Sequence, residues 1–175
     1  MNPVLEAIKN RRSIRKFKPD MVEQDKIDQI VEAGLYAASG MNRQSTKIIV
    51  VKNKDFRDKL SAEKEKIDGQ WDGHDPFYGA PVILVVLTDK SQQTYVYDGA
   101  LVMGNLMLAA HALGVGSCWI HRAKEAFEKP EYKEWLKSLG IEGDWEGVGY
   151  CILGYADGEK PGTLPRKPNR VYVVE

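Results

Sequence analysis

The run Ala80-Pro81-Val82-Ile83-Leu84-Val85-Val86-Leu87 carries no polar side chain. It is the longest such run in the chain, far short of the roughly 20 residues that span a bilayer. Four of its residues are β-branched, and a strand with no polar alternate positions must be covered on both faces. Ile48-Ile49-Val50-Val51 reads in the same way. Helical patterns separate these runs, so the chain is expected to build a sheet packed with helices, of α/β or α+β type. The order of its strands does not follow from the pattern.

The helices announce themselves by caps and stripes. Asn2 followed by Pro3 reads as an N-cap and first helical position, with Val4, Leu5 and Ile8 on one face and an end near Asn10. Residues 23–38 place Ile27, Ile30, Val31, Leu35 and Ala38 on one stripe. Residues 54–67 predict an exposed helix, and 91–113 a helix apolar almost all round, bound for the core or a second subunit. Gly114 is a natural stop after it. Residues 116–120 and 148–155 predict further strands, and 130–139 a helix opened by Pro130. Residues 171–174 read as an edge or exchanged strand. Residues 68–79, with Gly69, Gly73 and Gly79 among Trp71, Phe77 and Tyr78, form a loop that either covers a site or is pinned to the body.

At 175 residues the whole chain, 1–175, is expected to be one domain. Its 25 basic residues balance 25 acidic ones, so no global field draws nucleic acid or an anionic membrane. Residues 1–12 hold four charges and no signal-peptide block, and the two cysteines, Cys118 and Cys151, are too few for a disulfide framework. A cytoplasmic protein with reduced thiols is the expectation. No metal site, nucleophile elbow or Walker motif is present, since His74, His111 and His121 have no partners at ligand spacing. Gly147-Val148-Gly149 starts a partial dinucleotide fingerprint that Ile152 breaks.

Two polar segments carry the chemistry. Arg11-Arg12-Ser13-Ile14-Arg15-Lys16-Phe17 sets three guanidinium groups and a hydroxyl behind a short helix, a pattern suited to a phosphate. The alternative is a solvated helix end whose cations offset the dipole. Ser39-Gly40-Met41-Asn42-Arg43-Gln44 offers a hydroxyl and two amides with little bulk, suited to a flat polar heterocycle. Together they point to a phosphorylated, ring-bearing cofactor.

These segments, followed by Gly114-Val115-Gly116-Ser117-Cys118-Trp119-Ile120, then Leu153-Gly154-Tyr155 and Pro165-Arg166-Lys167, resemble in their order the FMN-dependent nitroreductase family. The resemblance runs from Val4 to about Val171. It implies an α+β nitroreductase-like fold, with a central mixed, mostly antiparallel sheet flanked by helices. It also implies an intertwined homodimer with FMN at the subunit interface and NAD(P)H as electron donor. Arg11, Arg12 and Ser13 would surround the phosphate and ribityl chain, and Arg15 the N1 and C2=O edge of the ring. Ser39, Gly40, Asn42 and Gln44 would come from the other subunit. Cys118, Trp119 and Ile120 would lie against the ring, and Arg166 and Lys167 would return to the phosphate. No protein acid or base is required, because the flavin carries the chemistry. The family commonly has proline where Ala38 stands and Pro-Trp where Ser45-Thr46 stands, so the turn here is less rigid. The implied activity passes electrons from NAD(P)H to a nitroaromatic, quinone or flavin. Flavin-based dehalogenation or dehydrogenation, a non-enzymatic FMN carrier or sensor, and a nucleic-acid module using residues 9–18 are the competing readings.

Overall fold

The computed structural model describes residues 2–175. Its helices are α1 (Pro3–Asn10), α2 (Gln24–Leu35), α3 (Lys54–Asp68), α4 (Tyr95–Ala112), α5 (Ala123–Phe127) and α6 (Pro130–Ser138). Its strands are β1 (Thr46–Val51), β2 (Val82–Asp89), β3 (Gly116–Ile120) and β4 (Trp145–Gly154). They form one sheet in the order β1-β2-β4-β3, and every ladder is antiparallel. The register shifts between Val86 and Leu87, where β4 carries the extra residue Val148. A parallel bridge joins Ser13 to Ser117 on the outer edge of β3, the parallel element of an otherwise antiparallel sheet.

β2 explains the architecture. Ile83, Val85 and Leu87 point into a core shared with Leu60 of α3, Phe127 of α5 and Tyr132 and Leu136 of α6. Val82, Leu84 and Val86 point the other way, into a core shared with Ile27 and Ile30 of α2 and Val102, Met103 and Leu106 of α4. A period of two thus feeds two cores from one strand, giving three layers. β1 departs from the expectation of burial on both faces: Lys47 and Val50 are exposed. It lies at the sheet edge, a position that the sequence pattern does not encode.

α1 starts as expected, with the Asn2 side chain accepting from the Val4 and Leu5 amides. α3 is less exposed than its composition suggests, because it buries Arg57, Glu63 and Lys64 beside Leu60. α5 is too short to show periodicity and was not anticipated. α4 buries Val102, Met103, Leu106 and Ala110 but leaves Tyr97 and Leu101 exposed, so its burial in one chain is one-sided. Residues 171–174 pair with nothing within the chain and lie fully open, Val174 being 97% exposed.

Residues 68–79 are pinned rather than loose. The Asp75 carboxylate accepts from the Phe77 amide (3.0 Å), the Gly79 amide (2.7 Å), the Ser61 hydroxyl (2.7 Å) and the Arg57 guanidinium. Burial pushes the Asp75 carboxyl up, but these donors outweigh it, and it titrates below the ordinary 3.8. Asp68 accepts from Lys64 and from the Trp71 indole (2.6 Å), and Trp71 meets Tyr78 edge-on.

Candidate functional site

The segment after α1 runs along the open edge of β3. The Ile14 amide donates to the Ser117 carbonyl at 3.0 Å, and Ile14 and Phe17 are buried below it. That anchorage leaves Arg11, Arg12, Ser13 and Arg15 around a cleft of about 270 Å³, closed by Pro161, Gly162, Leu164 and Arg166 from the chain's other end. The sequence-expected residues Arg11, Arg12, Ser13, Arg15 and Arg166 are therefore brought together. Lys167 is not: it lines a neighbouring cleft of about 570 Å³ with Arg166, Asn169, Arg170 and Val171.

The three arginines are not equivalent. Arg12 is used by the fold, donating to the carbonyls of Lys9 (2.8 Å) and Gly162 (3.4 Å) and to the Thr163 hydroxyl, which ties the tail to the end of α1. Arg11 is different, because its Nη1 is buried with no hydrogen-bond partner. A buried donor on a charged group is costly to leave unmet, and among the described residues this is the one buried arginine nitrogen so left. Arg15 is exposed and in no salt bridge among the described residues. His111, at the C-terminal end of α4, lines an adjoining cleft with Arg12 and Lys160. Burial, then the charges of Lys160, Arg11 and Arg12, hold its imidazole below the ordinary 6.5. Its cationic surroundings come from residues remote in the sequence and are not visible there.

The second segment is built around Asp98, 3% exposed at the start of α4. Its carboxylate accepts from the Gly40 amide, the Ser45 hydroxyl and the Thr94 hydroxyl, each at 3.0 Å. The Ser39 hydroxyl accepts from the Gln44 amide at 2.9 Å, and the Gln44 side chain donates to that of Asn42 at 3.2 Å. The backbone between them is strained: Met41, Asn42 and Gln44 have φ of +50°, +52° and +51°. Glycine is required at position 40, since a Cβ there would lie 2.3 Å from the Thr94 hydroxyl. Asp98 was missed in the sequence, although an acid in so apolar a helix was a signal.

On β3 the side chains alternate. Cys118 and Ile120 are buried in the α3–α5–α6 core, while Trp119 packs on the α4 side over Gly149, where a Cβ would meet its indole nitrogen at 2.7 Å. What the strand turns toward the cleft is its open edge. Burial pushes the Cys151 thiol up, so it is no nucleophile. Among the described residues, no group of three or more His, Cys, Asp or Glu is placed to hold a metal ion.

The two segments sit at opposite ends of α4. Asp98 and His111 are thirteen positions apart in that helix, about 20 Å at 1.5 Å per residue. Within one chain the two polar segments are therefore separated by most of the length of α4.

The chain belongs to the nitroreductase family, whose sequence pattern matches residues 8–155. A nitroreductase from Bacteroides fragilis, solved with bound FMN, superposes with a TM-score of 0.90 at 29% identity, covering 100% of both chains. One from Desulfitobacterium hafniense, also with bound FMN, gives 0.88 at 32% identity and 99% coverage of both. A protein of Methanothermobacter thermautotrophicus, with an inferred assignment as NADH dehydrogenase/NAD(P)H nitroreductase, is 34% identical over 125 residues. That match covers 66% of this chain and 59% of the relative, so the chain spans about three fifths of its length.

Proposed function

We propose that two copies of this chain bind FMN between them and pass electrons from NAD(P)H to an oxidant such as a nitroaromatic, a quinone or free flavin. The observation that carries this is the buried, unpartnered Nη1 of Arg11 in a cleft lined by three further arginines and the Ser13 hydroxyl. A phosphate with about two negative charges suits such a cleft. When bound, FMN supplies the chemistry, taking a hydride and a proton from NAD(P)H and its surroundings and returning two electrons and two protons to the oxidant.

The protein's part is to hold and shape. Arg11 and Ser13 grip the phosphate while Arg12 fixes the tail that closes over it. Arg15, unpaired and further along the same edge, offers its cation to the N1 and C2=O side of the ring. Ser39, Gly40, Asn42 and Gln44 reach the ring from the second copy, because they sit at the Asp98 end of α4 while the arginines of their own chain lie near its His111 end. The exposed α4 residues Tyr97 and Leu101, with Val4, Leu5 and Ile8 of α1, supply apolar surface for that pairing. No helix among the described residues is long and apolar enough to cross a membrane. Both cysteines are unpaired, which suits the reducing cytoplasm.

The purified protein should be yellow, sediment as a dimer, and bleach under NADH or NADPH without oxygen. Arg11→Ala should lose its flavin on dialysis, through a deficit of about 1.5–3 kcal/mol. A colourless protein that rebinds no FMN, or an Arg11→Ala variant that keeps it, refutes the assignment. Flavin that is retained but never bleached makes the chain a carrier.

A further inference from the structure

The cleft that adjoins the phosphate cleft has a cationic lining of its own. It holds about 230 Å³ between the segment after α1, the end of α4 and the start of β3, and its polar lining comes from Arg12, His111, Ser117 and Lys160. No carboxylate lines it. The two acids just before Lys160 do not neutralise it: Asp157 pairs with Lys16 at 2.8 Å, and Glu159 is exposed and outside the lining.

Three of the four polar groups have donors to spare among the described residues. Ser117 is only 2% exposed, yet its hydroxyl makes no hydrogen bond, unlike the hydroxyls of Ser45 and Ser61. Lys160 is in no salt bridge, unlike Lys16, Lys90 and Lys124. The half-buried His111 ring is shaped by burial and by the charges of Lys160, Arg11 and Arg12, with no hydrogen bond among its influences. Arg12 commits its donors to Lys9, Gly162 and Thr163 and so contributes charge alone. The negative end of α4 does little to cancel this field. The carbonyls of Ala109, Ala110 and His111 already accept from the amides of Leu113, Val115 and Gly114.

We propose that this cleft binds a small dianionic oxyanion such as inorganic phosphate, apart from FMN, with Lys160, the Ser117 hydroxyl and a protonated His111 as its donors. The cleft is smaller than the roughly 300–1,000 Å³ that drug-sized ligands occupy, which suits an ion rather than a second cofactor. Cations around a half-buried imidazole repel its proton, and an anion among them brings it back. Arg12 lines both clefts, so an anion in one weakens the hold of the other on its own anion without excluding it. The site goes beyond the flavin assignment and does not depend on it.

Sulfate is the probe, because it stays dianionic through the pH range used, with ionic strength held constant by chloride. Side-chain NMR, assigned with His111→Gln, separates His111 from His74 and His121. Sulfate is expected to raise the His111 titration midpoint by about one pH unit, so that it binds roughly tenfold more tightly below that midpoint than above it. In Lys160→Gln the sulfate affinity should fall about tenfold while FMN affinity stays within about threefold, since Lys160 lines this cleft and not the other. Ser117→Ala should also weaken sulfate severalfold, and FMN-loaded protein should still take sulfate up. A midpoint unmoved by sulfate overturns the proposal, as do equal losses of sulfate and FMN in Lys160→Gln. Sulfate binding abolished by FMN overturns it too, by making the cleft part of the cofactor's own. Sulfate bound at His111 by a protein that takes up no FMN supports the site and refutes the flavin reading alone.

Discussion

Replacing Asp98 by alanine tests whether the strained loop 39–44 is held for function. The substitution removes three hydrogen bonds of 3.0 Å from a buried side chain. Bonds to a charged group contribute about 1.5–3 kcal/mol each, but the Ser45 and Thr94 hydroxyls can turn to new partners, so a loss of about 3–5 kcal/mol is realistic. Against this, the left-handed conformations of Met41, Asn42 and Gln44 cost about 1 kcal/mol each and are relieved when the anchor goes. The net fall in stability should be about 0–2 kcal/mol in urea denaturation. The relaxed loop must then be rebuilt around the ring, so FMN affinity should fall by about ten- to a hundredfold in a fluorescence titration. Asp98→Asn can still accept from Gly40 and donate to the two hydroxyls, and should lie between. A variant that loses stability but binds FMN within a factor of two of wild type would show that the loop is no part of the cofactor site.

Arg15→Leu should retain oxidised FMN better than Arg11→Ala but shift its midpoint potential to more negative values, since charge gathers at N1 and C2=O only on reduction. An unchanged potential would mean that another cation holds that edge. Asp75→Asn should destabilise the fold by about 2–3 kcal/mol at neutral pH by removing the charge that faces Arg57, which keeps only Asp58 and the Ala80 carbonyl. Because the folded carboxyl titrates below its ordinary 3.8, this difference should be full above that value and vanish as pH falls through the lower folded one; a constant gap down to pH 2 would refute the assignment.

What was legible in the chain was local. The apolar run of β2 and the Asn2–Pro3 start of α1 each announce themselves within a few residues, and both take the expected local form. Misjudged features depend on neighbours remote in sequence. β1 is half exposed because it falls at an edge. α3 buries charges because Lys64 meets Asp68 and Lys129 reaches Glu63. The environment of His111 arises only when Lys160 returns beside α4. Along β3 the side chains of Cys118 and Ile120 point one way and that of Trp119 the other, an alternation that only the paired strand makes visible.

The clasp of Arg12 on Gly162 joins residues 150 positions apart. The basic cleft therefore does not exist until the end of the chain has been synthesised and folded back. Chains emerge amino terminus first, so α1, the sheet and α4 must reach their places unaided by any anion. A ligand held there stabilises only the finished fold, by mass action, and cannot template its early stages. Cofactor supply would then govern how long each molecule lasts in the cell, and leave untouched the fraction of new chains that fold.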